Sequence, residues 1–171
     1  PPLVADHPLL AGADADALFW HREGPRWCGH GHLVPPVGAE VLVGNGAGDA
    51  WLYIDRASTR GVILAATNLD FDAHAYYGNE LARVLLDRVL RWAEAQAEAR
   101  AATWAGAARR IAGVVSGVHF QQAFFEDAEF GERFAIVPAD ELSEVELGRY
   151  AAIWVPRESD QARLMRARDR I

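Results

Sequence analysis

At 171 residues the chain is long enough for one well-buried core, or for one domain with an appendage, and too short for two full α/β domains. Apolar residues make up 51% and charged residues 24%, which excludes a disordered chain, and no apolar run reaches the roughly 18 residues of a membrane span. The net charge is −7 and all 17 basic residues are arginine, so a lysine nucleophile or Schiff base is excluded, and no basic stripe marks a nucleic-acid interface.

Residues 1–36 are irregular, because Pro1, Pro2, Pro8, Pro25, Pro35 and Pro36 interrupt any long element, and His7, His21, His30 and His32 gather among them. The Pro1-Pro2 start, without methionine or a charged and apolar leader, predicts a processed chain or part of a longer polypeptide, with no secretory signal. Cys28 is the single cysteine, so no internal disulfide can form and the cytoplasm is the favoured compartment.

Residues 39–43 (AEVLV) and 50–55 (AWLYID) are short apolar runs around a loop rich in glycine and asparagine, which predicts a hairpin with a longer turn than the tight two-residue type. Gly46-Ala47-Gly48 in that loop is followed by neither a helix nor Gly-Lys-Ser/Thr, so it reads as a turn and not as a phosphate loop. The unbroken run at 62–67 (VILAAT) predicts a strand covered on both faces. A loop with Asp70, Asp72 and His74 follows. An amphipathic helix is then predicted over residues 79–98, with Leu81, Val84, Leu85, Val89 and Trp92 on its buried stripe and Asn79 as its N-cap. The alanine-rich residues 95–108 read as a fraying helix end or a helical linker.

Beyond that linker the pattern resets. Residues 110–116 (RIAGVVS), 134–138 (FAIVP) and 150–156 (YAAIWVP) predict strands, while 120–129, 141–147 and a segment capped by Ser159 predict helices. The β-α-β-α-β-α alternation is the signature of a parallel doubly wound sheet.

The segments RIAGVVSG and GERFAIVPADELSEVELGRYAAIWVP, within residues 110–171, resemble the beginning of a domain of the class I glutamine amidotransferase-like superfamily, in particular its trehalose-utilisation (ThuA-like) branch. ADHPLLAG, FWHREG, VLVG, WLYID and GVILAATNLDFDAHAYYGN, within residues 3–94, resemble the end of one. The resemblance implies a flavodoxin-like α/β fold, a mostly parallel sheet with helices on both faces, here with an N-terminal irregular region and hairpin. Residues 1–98 then correspond to the C-terminal half of such a domain, 99–109 to an alanine-rich helical linker and 110–171 to the N-terminal half. The GG-x-L-V-x-x-G strand and loop that join the halves in the family are absent. This order fits a circular permutant, a fragment spanning two tandem domains, or a chain lacking its middle. Two halves short of strand partners are expected to pack as one sheet or to be completed by another chain, as a homo-oligomer or within a larger polypeptide.

The resemblance also supplies candidate chemistry. Glutamine amidotransferases use a cysteine on a strand-to-helix elbow as nucleophile and a histidine after a late strand as its base. His74 stands at the matching place for the base. Tyr76 stands where the family's H-P-E pattern puts glutamate, and Glu80, Asp70 or Asp72 can orient the imidazole instead. Cys28 is the only thiol that can serve as nucleophile, yet its setting RWCGH has neither the apolar strand nor the helix of an elbow. Ser116 and His119 follow a predicted strand's carboxyl end and are candidate ligand contacts, although a G-x-S-x-G elbow would require glycine at Val114. Trp20 and Trp27 are candidate walls for a sugar, whereas Trp51, Trp92 and Trp154 fall in strands or helix stripes and read as core.

His21, Glu23, His30 and His32 form a set suited to zinc or another divalent ion, weighed against histidines held by surface or capping hydrogen bonds; no cofactor follows with certainty. Taken together, the expectation is an amidotransferase-like domain without a complete triad. It would bind or process a small polar or sugar-like ligand at a pocket lined by His74, Asp72, Ser116 and His119, with no nucleic-acid or membrane partner. The alternative is a non-catalytic structural or oligomerisation domain of a larger enzyme, as such domains are in some β-galactosidases. These residues point to a fold family and not to a reaction.

Overall fold

The computed structural model describes residues 6–13, 33–44, 48, 50–57, 62–66, 75–101, 110–115, 119–146, 149–156 and 161–167. The chain divides into two compact units, Pro1–Phe71 and Asp72–Ile171.

In the first unit a single 3-10 turn, Pro8–Leu10, is capped by His7, whose Nδ1 accepts the Leu9 N–H at 3.3 Å. Pro8 costs nothing at this first position, where its missing N–H has no partner to lose. The turn buries Leu9 and Leu10, so His7 has the structural role of a cap. Three strands follow, β1 (Glu40–Gly44), β2 (Ala50–Asp55) and β3 (Ile63–Ala66), in one antiparallel sheet of order β1-β2-β3. The expected hairpin is β1-β2, with Val41 opposite Tyr53 and Gly44 opposite Ala50, and its register shifts twice between Val41 and Gly44. Alternation along β2 buries Ala50, Leu52 and Ile54, which with Leu42 and Val43 make the core of this sheet. Past the end of β2, Asp55 Oδ1 accepts the Ala57 N–H at 2.8 Å and turns the chain. Burial first, and then the charge of Asp55, raise the Tyr53 phenol above its ordinary pKa.

In the second unit Gly78, at φ +88°, precedes the helix α1 (Glu80–Ala101). Asn79 caps it as expected, its Oδ1 accepting the Ala82 N–H at 2.8 Å. The buried stripe is Ala82, Leu85, Leu86, Val89 and Leu90. It is rotated from the expected one, since Val84 is 46% exposed and Leu86 and Leu90 lie inside. A parallel sheet follows, of order β5-β4-β6, from β4 (Ile111–Val115), β5 (Phe134–Pro138) and β6 (Ala152–Trp154). Helix α2 (His119–Phe125) lies between β4 and β5, and α3 (Gln161–Ala167) follows β6. Ala112 and Val114 of β4 join Val137, Ala139 and Leu142 in one cluster, against which Val145, Tyr150, Ile153 and Leu164 pack. Gly113, between them, leaves room for Phe125: a Cβ there would lie 2.7 Å from the ring. Phe125 stacks on Phe134 at 4.8 Å, and Phe124 lies against Phe130 and Phe134 at 6.1 and 5.7 Å.

This architecture corrects the expected flavodoxin-like fold. In place of one mostly parallel sheet with helices on both faces, the chain forms an antiparallel three-stranded sheet and a separate parallel three-stranded sheet with few helices. The two halves therefore do not share a sheet. The run at 62–67 is the clearest local case: β3 is the last strand of an antiparallel sheet, with both its end residues exposed, and not a parallel strand covered on two faces. Its apolar content suited either role, but residues 56–62 are too few for the crossover of a dozen or more that a parallel neighbour requires. The helix expected at 141–147 is a 3-10 turn, Ala139–Glu141, plus one further turn closed by the Val145 N–H on the Glu141 carbonyl at 3.0 Å. A single turn fixes several residues for one bond and is not propagated here. No helix among the described residues is long and apolar enough to cross a membrane.

Candidate functional site

In the parallel sheet the strand that comes first in sequence, β4, is central, with β5 on one side and β6 on the other. The chain leaves the carboxyl end of β4 for β5 and then crosses back to β6. Where strand order reverses in an open parallel sheet, connections leaving adjacent carboxyl ends diverge, and ligands bind in the crevice between them. Here that point lies beyond Val115, paired with Pro138, and beyond Trp154, paired with Gly113. Ser116 follows Val115 directly in sequence, and the backbone of His119 opens α2.

Most of the expected site residues are not among those the structure describes. Cys28, Asp72, His74, Ser116, Trp20, Trp27, His21, Glu23, His30 and His32 lie outside the described residues. Tyr76, which the resemblance would set where a glutamate is expected, is 37% exposed and meets Tyr77 edge to face at 5.2 Å. Glu80, weighed as an alternative partner for His74, is the first residue of α1 and lines a different feature. Trp51, Trp92 and Trp154 are partly buried. Among the described residues, no group of three or more His, Cys, Asp and Glu side chains is arranged to hold a metal ion.

That other feature is an open groove of about 750 Å³ between α1 and residues 129–133. The charged face of α1 turns toward this segment. Arg133 donates from Nε and Nη2 to the two oxygens of Glu94, each at 2.9 Å, and from Nη1 to Asp87 at 2.9 Å. Asp87 also accepts from Arg91, one turn on, at 2.7 Å, and Arg83 pairs with Glu129 while its guanidinium carbon stands 6.0 Å from the Phe130 ring centre. Burial pushes the Asp87 carboxyl up, but hydrogen bonds and charge from Arg91, then from Arg133, outweigh it and hold the group below the ordinary carboxylate range. In return Asp87 raises the pKa of Arg91.

Four arginines (83, 88, 91 and 133) face four carboxylates (80, 87, 94 and 129) along the groove, so it has no net charge to recruit an ion. Its chemistry is that of a fastening. The Asp87-Arg91 spacing was legible as an i, i+4 pair. The Arg133 contact was not, because its partner Asp87 is 46 residues away in sequence.

No family model, curated protein or solved structure matches the chain.

Proposed function

We propose that the chain acts as a glutamine amidotransferase-like, ThuA-like domain without a complete Cys-His-Glu triad, which binds a small polar or sugar-like ligand at the carboxyl end of β4. The observation that carries this reading is the reversal of strand order around β4, which favours a crevice beside the position that Ser116 takes in sequence. Tyr76 in place of glutamate is what leaves the triad incomplete, since a phenol is a poor orienter of an imidazolium compared with a carboxylate.

A thermal-shift screen with glutamine, glucose, trehalose and zinc tests it. The expected result is stabilisation by a polar organic ligand that Ser116→Ala removes, with no glutamine hydrolysis. Absence of a shift with every compound overturns the ligand site, and glutaminase activity lost in Cys28→Ala would restore the full triad mechanism. Zinc stabilisation abolished by His30→Ala would add the metal set His21, Glu23, His30 and His32.

A second reading is a structural or oligomerisation domain of a larger enzyme. It is favoured by Ile136, 40% exposed on β5 at the side of the parallel sheet. Light scattering would then show an oligomer that Ile136→Lys converts to a monomer, and a monomeric parent chain removes this reading.

A further inference from the structure

Residues 33–39 (LVPPVGA) lead into β1, and both ends of this segment are fixed. At one end the Leu33 N–H donates to the Ala50 carbonyl at 3.1 Å and the Ala50 N–H donates back to the Leu33 carbonyl at 2.8 Å. At the other the Ala39 N–H donates to the Pro36 carbonyl at 3.0 Å, with Gly38 at φ +87°, which is the pattern of a type II turn. Val37 is the second residue of that turn, a position whose extended dihedrals lie close to polyproline II. Val34 and Pro35 each precede a proline and are steered to the same region, while Pro35 and Pro36 have φ set by their rings. Covalent geometry and the turn thus direct four successive residues into one left-handed extended helix.

That helix has three residues per turn and rises about 3.1 Å per residue, so Val34 and Val37 share one edge about 9 Å apart. Burial follows the same period. Val34 is 81% and Val37 101% exposed, the two most exposed large hydrophobic residues described, and the two prolines between them are partly covered. We propose that residues 34–37 are a preformed recognition element for a partner protein with an aromatic-lined polyproline groove, in which Val34 and Val37 take the two apolar subsites. Such grooves favour a ligand already held as polyproline II, because little conformational entropy remains to be lost on binding. This surface belongs to the first unit and stands independently of the ligand site proposed at β4.

The test titrates the full 171-residue chain against isolated SH3, WW and EVH1 domains and follows binding by fluorescence anisotropy. At least one class is expected to bind saturably, with Val34→Ser and Val37→Ser each weakening it about tenfold or more, the scale of losing one buried apolar anchor. Val84→Ser, on the exposed side of α1, should leave binding unchanged. Failure of all three classes to bind, or binding that survives both serine variants, overturns the proposal. So does concentration-dependent self-association that Val37→Ser abolishes, which would identify the occupant as a second copy.

Discussion

The two sheets have three strands each and differ in how the chain passes from one strand to the next. In β1-β2-β3 the order in space is the order in sequence, and residues 56–62 are all that join β2 to β3. In β5-β4-β6 residues 116–133 and 139–151 form crossovers long enough to return the chain to the same end of the sheet. The segments VILAAT and IAGVV are similarly apolar, yet the first supplies a side strand with exposed ends and the second a central strand with four of its five residues buried. Connection length separates these outcomes where apolar content does not. The crossover sheet also places three carboxyl ends together, which a meander cannot do, so among the described strands the switch point belongs to the second unit.

This contrast can be broken by matched cavities in the two central strands. Leu52→Ala in β2 and Ile111→Ala in β4 remove fully buried side chains and should each cost about 2–5 kcal/mol in chemical denaturation. Hydrogen exchange should report the loss chiefly in residues 40–66 for the first and in 111–154 for the second. Equal loss of protection in both sheets from either variant would make the two units one cooperative body.

Gly113→Ala is expected to cost about 1–3 kcal/mol, because its new Cβ must displace the packed ring of Phe125, and to leave the antiparallel sheet unchanged. A neutral result would mean that the aromatic cluster shifts freely. Asn79→Ala should lower stability by about 1 kcal/mol through loss of the cap, read as faster amide exchange in the first turn of α1.

The smallest effect belongs to Asp87→Asn, at most about 1 kcal/mol for a partly exposed ion-pair network. Because the folded state lowers the pKa of Asp87, its contribution is complete above the unfolded value near 3.9 and is lost as pH falls through the lowered folded value. Parent and variant should therefore differ most above about pH 4 and converge in stronger acid. A difference that stays constant across that range would show that packing, and not charge, holds the contact.

Much of the local structure was legible in the sequence. The runs at 39–43, 50–55, 110–116 and 134–138 became strands because short apolar runs bounded by turn residues have few other uses, and the Asn79 cap became visible through its place before an amphipathic run. The stripe of α1 was less so. Ala82 is nearly invisible to a hydrophobicity pattern, and leaving it out rotated the expected face toward Val84. Pairing is less legible: a residue pattern carries no partner, and the apolar content of 62–67 suits two covered faces, while the short link before it dictates an antiparallel neighbour. Of the candidate site, the strand end before Ser116 was legible, whereas the helix expected at 120–129 opens one residue earlier, at the backbone of His119. The groove fastening escaped because a charged helix face looks the same whether water or Arg133 meets it.

Arg133 has one more consequence. Its two carboxylate partners, Asp87 and Glu94, stand seven residues apart, two turns of helix, so the guanidinium fork fits only while both turns keep their pitch. A helix that unwinds or slips by one residue between them presents at most one oxygen pair in reach. The side chain thereby works as a gauge of helical phase, and a glycine or proline placed between residues 87 and 94 would be felt forty residues away, at the entrance to β5.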